Sequence, residues 1–124
     1  MQFNRTVVLR YTIALQKRND SSAAASVRAL EQRFDAAIMR EDTVHQREHA
    51  RFELQVKKHP AAALVLAQKN WAIQKEPADL RIFLEAALAG NNRQAAAPAL
   101  EWLKANKLED KYIQKLVMQL GGAI

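Results

Sequence analysis

The chain has no cysteine among its 124 residues, which excludes disulfides, thiolate metal sites, iron-sulfur clusters and cysteine nucleophiles. Glycine and proline number three each, too few for a disordered or collagen-like chain, and two of the glycines, Gly121 and Gly122, are adjacent near the end. No glycine-rich phosphate loop can be assembled from them. The serines are Ser21, Ser22 and Ser26, all near the start of one helical stretch, where capping accounts for them better than nucleophilic chemistry. Long apolar runs are missing too. The first fifteen residues offer only Val7 to Leu9 before Arg10, too short for a signal sequence core or a membrane span. Met1 leads almost directly into helical pattern, as in an excised piece of a longer protein, and the compartment stays open.

The formal charge of +6 is spread out, with eleven basic and seven acidic residues in 1–59 and eight and six in 60–124. A nucleic-acid reader concentrates its basic residues, so no nucleic-acid partner is expected, whereas a diffuse excess favours acidic protein or peptide partners. With 49% apolar and 26% charged residues, the composition is that of one folded helical domain.

What the chain does have is an internal repeat. Phe34, Trp71 and Trp102 are each followed eight residues later by an aspartate, Asp42, Asp79 and Asp110, with copies 37 and 31 residues apart. Alanine triplets at 23–25, 61–63 and 95–97 recur at 38 and 34. Such periods belong to two-helix units that bury their apolar faces by stacking. Turn signals at Asn19 to Ser22, His59–Pro60 and Gly90 to Asn92, with the three aspartates as helix N-caps, predict helices over 4–18, 22–40, 43–57, 60–75, 79–89, 92–106 and 109–120. Pro98 predicts a kink or a later start in the sixth. The units are then 4–40, 43–75 and 79–106, with a terminal helix 109–120. Counted from each aspartate, offsets of three, seven and ten form one apolar stripe: His45, Ile82 and Ile113; His49, Ala86 and Val117; Phe52, Ala89 and Leu120. Counted back from each aromatic, Leu30, Ala67 and Pro98 stand at four and Val27, Leu64 and Ala95 at seven. Phe34, Trp71 and Trp102 are expected to be core anchors, and the alanine triplets thin surfaces where helices approach closely.

Helix pairs of this length, with small residues early in the second helix, resemble tetratricopeptide repeats. The segment Trp71 to Gly90, with Pro77 before Asp79 and with Phe83 and Ala87 on the following helix, carries most of the similarity. Gln46 with Ala50 and Gln114 with Met118 depart from the pattern of a large then a small residue, and Glu53, Gly90 and Gly121 stand where the family has tyrosine. Around 42–54 and 70–90 the chain also resembles the C-terminal part of uncharacterised bacterial repeat proteins. The resemblance spans about residues 20–120. It implies an all-α, right-handed stack of antiparallel helix pairs, a solenoid of about seven helices that binds proteins or peptides without catalysis or cofactor. Its concave face would lie two, five, nine and twelve positions after each aspartate, which selects Arg47, Arg51, Arg81, Tyr112 and Lys115 for gripping an acidic or carboxyl-terminal peptide.

Two other readings stand beside it. One is a self-assembly module. The other is a small zinc-dependent hydrolase: His45, Glu48 and His49 spell the inverted zinc-protease motif, two imidazoles one turn apart with a carboxylate base. Their stripe positions, occupied elsewhere by Ile82, Ala86, Ile113 and Val117, favour packing instead, and no metal or catalytic residue is expected.

Overall fold

Breakers and caps decide where each helix of this protein runs. The computed structural model describes residues 5–121. Within them the chain forms α1 (Arg5–Lys17), α2 (Ala23–Met39), α3 (Gln46–Arg51), α4 (Pro60–Ile73), α5 (Pro77–Ala89), α6 (Ala97–Asn106) and α7 (Lys111–Gln119). A π-helical stretch, Phe52–Val56, prolongs α3, and a 3₁₀ turn, Arg93–Ala96, precedes α6. No strand occurs among the described residues, so the fold is all-α as expected. None of these helices is long and apolar enough to cross a membrane.

The caps differ from the sequence reading. Asp110 is an N-cap, accepting from the Ile113 amide at 3.0 Å. Asp79 instead sits in the third position of α5 and reaches back to the Glu76 amide at 2.9 Å, while Glu76 caps the helix and Pro77 opens it. Asp42 closes a local turn by accepting from the Val44 amide, and α3 begins only at Gln46. Gly90 has φ −84°, and it is Asn91 that takes a positive value, 50°. The Asn91 and Asn92 amides then bond to Leu88 and Ala87 carbonyls, closing α5 in a Schellman motif. Asn92 caps the next turn, and Pro98 enters α6 one residue past its start, so the later start replaces the kink.

Two apolar clusters hold the chain together. The smaller joins Leu9 of α1, Leu30 and Phe34 of α2, and Phe52 and Val56 of the π-helical stretch. The larger gathers α4, α5, α6 and α7 around residues such as Leu64, Trp71, Phe83, Leu103 and Val117. Leu54 packs on the larger cluster while its neighbours Phe52 and Val56 enter the smaller, so the π-helical stretch is shared by both. The aromatics anchor junctions. Phe34 lies against Phe52, and Trp71 contacts Phe83 and, edge-on at 5.4 Å, Trp102, which is only partly buried. The apolar stripes are buried at most positions, with exceptions at half-buried Val27, His45 and Ala95 and exposed Ala89 and Pro98. The alanine triplets are mostly exposed, with Ala63 and Ala96 buried, so they do not form the expected close-approach surfaces. Helices α1, α3, α5 and α7 touch in succession.

Candidate binding groove

Arg47 and Arg51 lie one turn apart on α3 and both reach toward α5. Arg47 Nη1 stands 3.2 Å from Asp79 Oδ1 and 3.5 Å from Glu76 Oε2. Asp79 is fully buried and also accepts from Asn70 Nδ2 at 2.7 Å, so its charge is met by one guanidinium, one amide side chain and one backbone amide. Arg51 pairs with Glu85 through both terminal guanidinium nitrogens, Nη1 and Nη2, and the Tyr112 hydroxyl donates to Glu85 Oε1 at 3.0 Å. Partial burial, then the bond to Glu85, push the Tyr112 phenol above its ordinary range, while the Arg51 and Arg81 charges oppose the rise. The structure thus gathers Arg47, Arg51 and Tyr112 across α3, α5 and α7, with Arg81 within electrostatic reach. Lys115 is exposed on α7 and joins no ion pair among the described residues.

These cations are not a simple solvated row. The partners of Arg47 and Arg51 are Asp79, Glu76 and Glu85, more than twenty residues away, and not the sequence neighbours Glu48 and Glu53. A side chain tied to a fully buried carboxylate stabilises the domain as well as lining its surface.

Beside this network runs a groove of about 260 Å³, lined by Thr6, Leu9, Arg10 and Ile13 of α1, Arg47, Glu48 and Arg51 of α3, Gln55, and Ala78 of α5. Leu9 and Ile13 give it an apolar floor. Thr6 donates to Glu48 Oε1 at 3.3 Å across one side. Arg10 is exposed and its guanidinium pairs with no carboxylate among the described residues. Counting from aspartates missed Arg10 because no aspartate precedes α1. The signal was nevertheless in the chain, since Arg10 stands one 37-residue period before Arg47.

The histidine motif is split by the fold. His49 is buried, its ring stacked on Phe34 with centroids 4.6 Å apart and planes 5° from parallel. Its Nε2 lies 3.6 Å from Glu53 Oε1. Burial lowers the His49 pKa, against the opposing pull of Glu53 and Asp35, and favours the neutral ring. His45 and His49 line a cavity toward α2 and α4, whereas Glu48 lines the groove toward α1. Two imidazoles facing one cavity and a carboxylate facing another do not make the arrangement that the motif requires. Among the described residues no three His, Cys, Asp or Glu side chains are grouped to hold a metal ion.

Comparison with protein-family models, with curated proteins and with solved structures finds no match for this chain.

Proposed function

We propose that this protein is a non-catalytic scaffold of the tetratricopeptide-like class that binds a protein or peptide segment in the groove between α1 and α3. The observation that carries the reading is the groove itself, in which Arg10, with no carboxylate partner among the described residues, stands beside an apolar floor and two half-buried arginines held in place by α5. Succession of α1, α3, α5 and α7 along one row supports a stack of helix pairs, because first helices of stacked pairs form one continuous face. Arg47 and Arg51 are already charge-compensated within the fold. An acidic side chain or free carboxyl terminus would therefore meet Arg10 first, with apolar groups lying over Leu9 and Ile13.

Peptides enriched from a random library test this directly. Affinity should fall when Arg10→Glu is introduced and should weaken with salt, since exposed charges are screened over about 10 Å at 0.1 M. Enrichment of peptides that bind Arg10→Glu equally well would reject the groove.

One observation favours self-assembly as a second reading. Val7 and Tyr11, one turn apart on α1, are both more than half exposed, which leaves an apolar strip on that helix. Solution mass that rises with concentration, and falls back in Tyr11→Lys, would establish it.

A further inference from the structure

The groove between α1 and α3 does not end at Ile13 and Gln55. Both also line a second hollow of about 380 Å³, with Gln16 and Lys17 of α1 on one side and Val56 and Lys58 on the other. The two hollows therefore form one trough along α3 and its π-helical extension. On α1 the lining residues recur every three or four positions, Thr6, Leu9 with Arg10, Ile13, and Gln16 with Lys17, so one face of that helix supplies a whole wall. Arg51, Gln55 and Lys58 run along the opposite wall, and Gln16 Nε2 donates to the Val56 carbonyl at 3.2 Å, tying the two walls together.

Positive charge without an answering carboxylate stands at both ends of this trough. Around Arg10 the wall also holds Glu48, and Arg47 and Arg51 are met by Asp79, Glu76 and Glu85. At the far end Lys17 and Lys58 are exposed, neither pairs with a carboxylate among the described residues, and no acidic residue lines that hollow. The backbone at Lys58 is fixed, with φ 59° and the amides on either side bonded to the Phe52 and Glu53 carbonyls. Arg10 and Lys17 stand seven residues apart on α1, about 10 Å along its axis. A chain in the polyproline II conformation rises about 3.1 Å per residue and returns to the same face every third residue, so acids three positions apart span about 9 Å on one side. A free carboxyl terminus would answer only one end. We propose, on the basis of the groove reading, that the partner is an internal extended segment with two acidic residues three positions apart, one carboxylate at Arg10 and the other at Lys17 and Lys58, and with an apolar side chain between them over Ile13.

Three peptides, acetylated and amidated so that no terminal charge remains, separate the two ends: one with the core Asp-Leu-Ala-Asp, and two in which one or the other aspartate is asparagine. Each would be titrated into the isotopically labelled full chain at low ionic strength and followed by NMR shifts. The two-acid peptide should shift Lys17 and Lys58 together with Leu9, Ile13 and Gln55. It should bind about three- to fivefold more tightly than either single-acid peptide, the range of exposed ion pairs. Lys17→Gln combined with Lys58→Gln alters only exposed side chains, so it should fold; it should abolish the advantage over one single-acid peptide and keep the advantage over the other. Equal affinity of the three peptides would overturn the two-ended assignment, as would silence with all three in a protein that still binds library-selected peptides at Leu9 and Ile13. A library that yields no ligand for those two residues would overturn the groove reading along with it. Tighter binding of an oligothymidylate than of the two-acid peptide would overturn the assignment in favour of nucleic-acid phosphates.

Discussion

Replacing Arg47 with methionine probes the bond that ties α3 to α5. Methionine keeps most of the aliphatic volume and removes the cation facing Asp79, which is fully buried. Removing one partner of a fully buried pair costs about 3 to 5 kcal/mol, because the other charge stays behind uncompensated. Two features reduce that figure here. The Arg47 side chain is 31% exposed, so solvent already screens part of the attraction. Asp79 also keeps Asn70 Nδ2 at 2.7 Å and the Glu76 amide at 2.9 Å. The expected loss is therefore about 2 kcal/mol, or a urea midpoint lower by about 1 M for a slope near 2 kcal/mol/M. Trp71 and Trp102 supply the fluorescence signal, and the slope itself should not change. A midpoint shift under about a quarter molar would refute the reasoning and return Arg47 to the status of a solvated side chain.

Trp71→Ala should cost about 3 to 5 kcal/mol in the same assay, since the indole fills the junction with Phe83 and Trp102, and a near-zero cost would sink its role as an anchor. Lowering pH from 7.5 through the ordinary histidine range should destabilise the domain, because the unfolded chain binds the proton that buried His49 resists; this stability is present above the unfolded pKa and lost as pH falls toward the depressed folded value. His49→Phe should flatten that part of the profile, and an unchanged slope would exclude His49 as its source. Asp110→Ala should lose about 1 kcal/mol as a true N-cap, while Asp42→Ala, whose carboxylate closes an exposed turn and pairs with Arg40 at the surface, should lose less than half of that by thermal denaturation.

The helices themselves were largely legible because their signals are local. Asn92 and Asp110 accept from amides three residues on, Pro60 and Pro98 set the first turn of their own helices, and six of the seven helices start within three residues of the expected position, while α6 starts at Ala97 rather than 92 because a 3₁₀ turn precedes it. Capping detail was less legible: Asp42, Asp79 and Asp110 share a spacing but occupy three different positions relative to a helix start, since Pro77 and Glu76 open α5 before Asp79 is reached. The π-helical stretch had no signal, because it arises from Phe52 and Val56 entering one cluster while Leu54 enters the other. Neither did the ion pairs that cross from α3 to α5, nor the cavity beside α2, which depend on how helices distant in sequence are placed. The family resemblance groups Arg47, Arg51 and Tyr112; that the two arginine charges are met inside the fold has no signal in the sequence.

The most direct test of the binding reading is an NMR shift map of the full chain with a peptide selected for affinity. The account predicts that the perturbed amides and side chains cluster on Leu9, Arg10, Ile13, Arg51 and Gln55, with the α6 surface silent. A map centred on α6, or shifts spread evenly over the surface at every peptide concentration, would contradict it.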